Sequence, residues 1–292
     1  MHKAKTITTF DFSTLYTSIP HDKLKNAMRE IINFGFRNED KFYIGITKYG
    51  AKWITDKKKC NIVFDKASLK LAINFLLDQC FFHVGNLIFR QVIGIPMGSD
   101  PAPFMANLFL YFYENKWLQS TKKQDLIKAR KFSNVFRFID DLCAVNDDFE
   151  FRKNFKNIYP SELELKEENI SPSEATFLDL SINIVDAKFN TCLFDKRDAF
   201  PFSIVRMPYL CSNMPSKIFY ASVSSEILRL ARTNSNRNNF LNTVKVLLDR
   251  MRKQGCKMNQ LKKMLNKMFG RHATDFHKFA HTAKEFIAMF DY

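Results

Sequence analysis

Three aspartates are the residues of this 292-residue chain whose type and spacing best suit chemistry. Asp140 and Asp141 stand together in Asn134-Val-Phe-Arg-Phe-Ile-Asp-Asp-Leu-Cys-Ala-Val145, between two β-prone runs, Val135–Ile139 and Leu142–Val145. Alternation of Phe136 and Phe138 with Arg137 predicts a strand with one buried face, and a two-residue turn would put the aspartate pair at the tip of a tight hairpin. Two carboxylates that close repel unless a positive charge lies beside them. A hard divalent cation fills that role, and Mg²⁺ is typically held by one or two carboxylates together with substrate phosphates. A lone Asp-Asp is more often a plain polar turn, so the rest of the chain decides. Asp11, between Phe10 and Phe12 at the end of a strand over Lys5–Phe12, is either a strand-end cap or a third acidic ligand facing the pair, since Asp is disfavoured on strands.

The elements that must position these groups read as a mixed α+β chain. Ser13–Pro20 is a connection containing Tyr16, and His21-Asp22 opens a helix marked by Leu24, Ala27, Met28, Ile31 and Ile32 and closed by Gly35. Residues 38–61, with Lys57-Lys58-Lys59, read as a solvated loop, followed by a helix over Ser68–Gln79. A hairpin follows, Cys80–Val84 and Leu87–Gln91 around Gly85-Asn86. Next, Gly94-Ile-Pro-Met-Gly98-Ser99-Asp100-Pro-Ala-Pro103 leads into an intensely apolar helix, Ala102–Trp117, capped by Ser99 or Asp100 and packed under a sheet. Gly94 and Gly98 would let the backbone pass close to something flat or charged. Glu150–Tyr159 reads as helix, Glu162–Ile170 as charged loop, and Phe177–Ile184 as a strand with a partner at Asn190–Asp195. Beyond a soft boundary at Phe202–Pro208 come three helices. One spans Ile218–Arg232; the next carries Phe240, Val244, Leu247 and Met251 and ends at Gly255; the third carries Met258, Leu261, Leu265 and Met268 before Gly270.

Charge is unevenly spread. The whole chain carries 45 Lys+Arg against 30 Asp+Glu, a net charge of +15, while residues 205–292 alone hold 16 Lys+Arg against 5 Asp+Glu. Such asymmetry points to a polyanionic partner, nucleic acid first, with an ordinary basic surface as the alternative. Between the apolar stripes of the last helices lie Lys245, Arg250, Arg252, Lys253, Lys257, Lys262, Lys263, Lys267 and Arg271, so one face would pack while the other offers cations to a phosphate backbone. An apolar content of 46% suits a folded chain. Six scattered cysteines without a Cys-x-x-Cys fit a reducing compartment, with neither a disulfide framework nor a zinc site. No signal peptide is evident, and the longest apolar run, Phe104–Tyr113, is too short to span a bilayer, so an intracellular, soluble protein with no membrane partner is expected.

Read in order, these stretches resemble the palm motifs of reverse transcriptases. Phe10-Asp11-Phe12-Ser-Thr-Leu-Tyr16 is similar to motif A, Gly94-Ile-Pro-Met97-Gly98-Ser99 to motif B, Phe138-Ile-Asp140-Asp141 to motif C, and Phe177-Leu-Asp179-Leu to the motif-E region. The pairing of Phe-Asp-Phe-Ser-Thr-Leu-Tyr-Thr-Ser-Ile-Pro-His21 with Gly-Ile-Pro-Met-Gly-Ser99 most resembles the enzymes of Penelope-like retroelements, relatives of telomerase, over about Thr6–Arg271. The resemblance implies a right-hand polymerase palm, an antiparallel sheet backed by helices, over 1–204 with an insert at 38–92. A basic helical thumb-like domain over 205–292 and largely absent fingers complete the expectation. It implies that Asp11, Asp140 and Asp141 are catalytic and, with the Phe12 carbonyl, hold two Mg²⁺ ions, with Mn²⁺ as a substitute. Tyr16 would be the steric gate against a 2′-hydroxyl; Met97, Gly98 and Ser99 would line the nascent base pair; and Lys166 would give a proton to pyrophosphate. Lys196, Arg197, Arg250, Arg252, Lys253, Lys257, Lys262, Lys263 and Lys267 would contact the nucleic acid.

The implied function is RNA-directed DNA polymerase, a nucleotidyltransferase taking an RNA template, a DNA primer or RNA/DNA hybrid, and dNTPs, located in the nucleus with the cytoplasm as alternative. Only ten residues precede Asp11, so the fingers strands that usually come before motif A are expected to come from a partner or a missing segment, or else the nucleotide is held differently; no GIY-YIG endonuclease module is expected. Met97 stands where glutamine is common, Asp100 where proline is usual, and Met214 where the Penelope-like group often has histidine. Two rival expectations remain: an RNA-dependent RNA polymerase, which Tyr16 disfavours, and a truncated or domesticated palm–thumb module that binds RNA or hybrid without synthesis.

Overall fold

Around Asp11 every second residue is aromatic, and that alternation sets the first strand. β1 (Ile7–Phe12) turns Phe10 and Phe12 into a core and leaves Asp11 on the other side of the pleat. A computed structural model describes residues 3–37, 42–169, 171–202, 204, 205, 207 and 209–290. The chain divides into two compact units, Phe10–Glu167 and Met1–Thr9 with Glu168–Tyr292.

In the first unit β1 is followed by a helical turn, α1 (Leu15–Ser18), and by α2 (His21–Gly35). Then come β2 (Tyr43–Thr47), β3 (Gly50–Ile54), β4 (Ile62–Phe64), α3 (Lys66–Asp78) and the hairpin β5 (Phe81–Val84)–β6 (Leu87–Arg90). The rest is α4 (Ala102–Gln124), α5 (Leu126–Lys131), the hairpin β7 (Val135–Phe138)–β8 (Asp141–Val145), α6 (Glu150–Ile158) and β9 (Leu165–Glu167). Its main sheet has the order β7-β8-β1-β9; a three-stranded sheet has the order β3-β2-β4, and β5-β6 pair alone. One face of the main sheet is buried under helices. Phe10, Phe12, Leu142, Ala144 and Leu165 share a core with Leu24 and Met28 of α2, Met105, Phe109 and Leu110 of α4, and Phe151 and Ile158 of α6. Phe10 meets Phe151 edge-on at 5.0 Å, and Phe12 meets Tyr159 likewise at 5.0 Å. Each such ring contributes about 1.5–3 kcal/mol by burial.

The second unit pairs β10 (Glu174–Phe177), β11 (Leu180–Val185) and β12 (Lys188–Leu193) antiparallel. Helices follow: α7 (Ser216–Thr233), α8 (Arg237–Lys253), α9 (Met258–Arg271), α10 (Ala273–Phe276) and α11 (Ala283–Ala288). Their core is rich in phenylalanine, with Phe240 stacked on Phe279 at 4.1 Å and Phe276 against Phe286 at 4.6 Å. β12 is tied to the α7–α8 junction, where the Thr191 hydroxyl donates to the Thr233 carbonyl at 2.7 Å and Ser235 N–H donates to the Thr191 carbonyl at 2.9 Å. The expected palm and thumb segments, 1–204 and 205–292, therefore cut across the compact units, because β10–β12 fall with the helices.

Several elements differ from expectation. The stretch read as a loop over 38–61 holds β2, β3 and β4, where Tyr43, Ile44, Ile46 and Thr47 are the β-formers; its residues 38–41 lie outside the described residues. The charged loop over 162–170 contains β9, whose Leu165 is buried while Lys166 and Glu167, on opposite faces, are exposed. Residue 170 lies outside the described residues. The single strand expected over Phe177–Ile184 is a hairpin that turns at Leu178-Asp179, with Leu178 at φ 55°. Pro101, not Ser99 or Asp100, caps α4, and that helix continues to Gln124. Its packing is one-sided, with Phe104 exposed. Gly270 lies inside α9, and α10 and α11 were not anticipated. Positions 203, 206 and 208 of the expected boundary are outside the described residues. Among the described residues no helix is long and apolar enough to cross a membrane.

Candidate functional site

The buried face of the main sheet fixes what its open face carries. On β8 Leu142 and Ala144 point into the core, so Asp141 between turn and Leu142 points the other way; on β9 Leu165 is buried and Lys166 faces out. Since β8 and β9 flank β1, Asp11, Asp141 and Lys166 share the opposite face, which is open at this end, where Asp11 and Asp141 are half-buried, and closed farther along β8, where Cys143 is buried. The register sets Asp11 directly opposite Lys166, whose ammonium also lies 3.5 Å from Glu164. Asp140 follows at the turn, and its carbonyl accepts the Phe12 N–H at 3.3 Å. The three aspartates thus converge on the same end of adjacent strands. Among the described residues no three His, Cys, Asp or Glu side chains form a ready-made metal cluster. A cation here would draw on the carboxylates of this face and on substrate oxygens, which suits Mg²⁺ better than an all-protein cage does.

The hairpin turns one residue earlier than expected. Phe138 pairs with Asp141, so the turn is Ile139-Asp140, and Asp141 begins β8. Ile139 has φ 55°, a left-handed conformation that costs a β-branched residue about 1–3 kcal/mol. Arg137 holds it. Its guanidinium donates to the Ile139 carbonyl at 3.1 Å, to the Asn107 side chain at 2.6 Å and carbonyl at 3.3 Å, and to both oxygens of Glu114 at 2.5 and 3.1 Å. Every guanidinium N–H is used. Glu114 also accepts the Tyr159 hydroxyl at 2.8 Å. Burial, with the Glu114 charge next in weight, holds the Tyr159 phenol protonated well above its ordinary range.

Tyr16 sits on α1 near this turn. Its partial burial first, and the Asp140 carboxylate second, raise its phenol above the ordinary value, so the ring is neutral at physiological pH. Its backbone is gripped by the glycine-rich stretch. Ile95 N–H donates to the Tyr16 carbonyl at 2.6 Å, Gly94 N–H donates to the Ile19 carbonyl at 2.8 Å, and the His21 Nε2 lies 2.7 Å from the Gly94 carbonyl. Gly94 has φ 80°, and a Cβ there would stand 2.5 Å from the Tyr16 carbonyl oxygen and 2.9 Å from the Thr17 Cα. Gly98, at φ 92°, has open space around it. Met97 is 75% exposed and Ser99 half-buried, its hydroxyl donating to the Pro96 carbonyl.

The expected nucleic-acid contacts fall in two separate places on the second unit. Lys263 and Lys267 line a groove between α7 and α9 together with Lys217, Arg271 and Tyr220. Arg197, Arg250 and Lys253 line a different cleft that also holds Glu226 and Tyr209. Arg197 is already paired with Asp195, and Arg252 lies 3.8 Å from Asp249. Lys196 and Lys257 are exposed, and Lys262 is half-buried on α9.

No protein-family model and no curated protein matches the sequence. Among solved structures, telomerase of Candida albicans in complex with a TWJ fragment of telomeric RNA matches with TM-score 0.55 and 11% identity, over 94% of this chain and 46% of that one. The fold is telomerase-like. The apo telomerase of Candida tropicalis matches at 14% identity over 97% of this chain and 47% of that one, with a TM-score of 0.46 that is too low to argue from. The chain thus spans less than half the length of these telomerases.

Sequence reading singled out the aspartates, Tyr16, Lys166 and the glycine-rich stretch, which share the first unit, but missed Arg137, Glu114 and Asn107 as a group. The signal was present: Arg137 stands between two phenylalanines on a strand, and Glu114 is the one acid within the apolar run of α4. Substitution separates the two glycines. Gly94→Ala should cost about 2–4 kcal/mol, because strain at positive φ adds to overpacking against Tyr16, and Gly98→Ala about 1 kcal/mol from φ alone. Denaturant unfolding of the two variants checks the order; equal losses would remove the packing role given to Gly94.

Proposed function

We propose that the chain is an RNA-directed DNA polymerase of a retroelement, extending a primer 3′-hydroxyl with dNTPs. The observation that supports this reading above others is the shared open sheet face of Asp11 and Asp141, with Asp140 on the adjoining turn. Asp11, Asp140, Asp141 and the Phe12 carbonyl would hold Mg²⁺, which when bound activates the primer hydroxyl and stabilises charge on the leaving pyrophosphate. Lys166, opposite Asp11, would offer its proton to that pyrophosphate. The neutral Tyr16 ring would crowd a ribose 2′-hydroxyl, favouring deoxynucleotides. Met97, Gly98 and Ser99, on the loop that follows the grip on Tyr16, would border the templating pair. The cations of the second unit would hold template and primer by their phosphates, without reading sequence. A nuclear location, a partner supplying fingers and the kinship to Penelope-like elements belong to the same reading.

The rival is a module that binds RNA or hybrid without synthesis. Primer extension on poly(rA)/oligo(dT) with Mg²⁺ or Mn²⁺ separates them. Incorporation of dTTP by the wild type and its loss in Asp140→Ala is expected; tight hybrid binding with no incorporation would establish the rival, and a preference for UTP would make it an RNA polymerase. In the same assay Tyr16→Ala should admit ribonucleotides at least about tenfold more readily, a change of about 1.4 kcal/mol in discrimination. Unaltered sugar selectivity would take the gate away from that ring. For the basic groove, joint replacement of Lys263 and Lys267 by Ala should lower the slope of log affinity against log salt by about 2, as counterion release by two lost phosphate contacts requires. An unchanged slope would move the nucleic acid to another surface.

A further inference from the structure

We infer that Arg137 is a positioning residue for the Asp140 turn, acting through a partly buried ion-pair clamp on α4; the inference rests on the polymerase reading for its kinetic consequence, though not for its structural one. Four observations converge. Ile139, the residue before Asp140, holds a left-handed φ of 55° that a β-branched side chain does not adopt unaided. The Arg137 side chain, only 10% exposed, is the group bonded to the Ile139 carbonyl at 3.1 Å. The same guanidinium is locked by Glu114 and Asn107, both on α4, at 2.5 and 2.6 Å. Glu114 is in turn held by the Tyr159 hydroxyl at 2.8 Å, and Tyr159 packs edge-on against Phe12, the neighbour of Asp11. The clamp therefore references the Asp140 turn and the Asp11 strand to one helix.

Simple packing does not explain this arrangement. An apolar residue of similar length at position 137 would fill the space without the desolvation cost of a partly buried ion pair. What the guanidinium adds is direction: a rigid planar fork with five donors fixes the carbonyl of a strained turn relative to two acceptors on α4. Catalytic carboxylates need that precision, since groups supporting a metal ligand commonly change activity or metal affinity about 10–100-fold when removed. Arg137 touches neither substrate nor metal in this scheme, so its effect passes through Asp140.

The test uses Arg137→Lys, which keeps the charge and loses the fork, and Arg137→Met, which keeps the stem and loses both. Amide hydrogen exchange of the full chain is read first. Exchange at Ile139–Asp141 should speed up at least about tenfold in both variants while α2 and the helices of the second unit are unchanged. In primer extension, Arg137→Lys should lower kcat about 10–100-fold and raise the Mg²⁺ concentration for half-maximal rate several-fold, with KM for dNTP within about twofold. Arg137→Met should be worse on both counts. Unchanged exchange at the turn would overturn the inference whatever the kinetics. So would rates that fall only with the folded fraction at an unaltered Mg²⁺ requirement, which is what a purely structural role gives. If the wild type extends no primer, the polymerase reading fails and the exchange measurement alone decides whether the clamp holds the turn.

Discussion

Burial of one face of a single sheet is the constraint on which the rest of the first unit depends. Phe10, Phe12, Leu142, Ala144 and Leu165 lie in a common core under three helices. Each strand alternates, so their neighbours Asp11, Asp141 and Lys166 have no choice of side. A register slip of one residue in β1 would drive the Asp11 carboxylate among Phe151, Phe155 and Tyr159 and expose two phenylalanines. The desolvation of a carboxylate, several kcal/mol, and the loss of about 1.5–3 kcal/mol per ring act in the same direction. The hydrophobic effect, which knows nothing of catalysis, is therefore what places the charged groups together.

Electrostatics then refines what burial has sorted. Arg137 and Glu114 are only partly exposed, and an ion pair in that setting adds little net stability while leaving either charge alone is costly. Such a pair earns its place by geometry. It fastens the end of β7 to α4, and the strained Ile139 sits at the end of the fastened segment. The Lys166–Asp11 juxtaposition differs: Lys166 is exposed and pairs at 3.5 Å with an equally exposed Glu164, so solvent screens it.

What could be read from residues alone follows the same physics. Helices with a sustained 3.6-residue period, α2 from His21 to Gly35 and α7 to α9, were legible because their apolar stripes are long. The β5–β6 hairpin was legible from Gly85-Asn86, a turn signal with a mechanism. Turns built on Ile139-Asp140 and Leu178-Asp179 were misplaced because a branched or bulky residue at positive φ contradicts local preference; only tertiary bonds keep Ile139 there. β9 was hidden for a different reason. It is three residues long, two of them charged, and it is a strand because β1 offers it a partner 155 residues away in sequence, as the pairing of Asp11 with Lys166 records. The site residues were legible as types, Asp, Tyr and Gly, while the Arg137–Glu114–Asn107 set was not, since no local pattern links positions 23 and 30 residues apart.

A fold can match at 11% identity because the constraint is a pattern of burial and not a list of side chains. That likeness carries the architecture and nothing more; chemistry has to be argued from the groups on the open face. There the departures from pure burial are concentrated: a carboxylate inside a strand ladder, a β-branched residue at positive φ, a glycine whose neighbours leave no room for a Cβ, and a guanidinium with all its donors committed. Each is unfavourable or indifferent for folding on its own. Their gathering at one end of one sheet and the loop packed against it is hard to account for by stability, since a sequence selected for stability alone would replace Asp11 with a β-branched residue and Ile139 with glycine. Strain that survives at one end of one sheet, and is actively braced there, marks the part of the molecule kept for function.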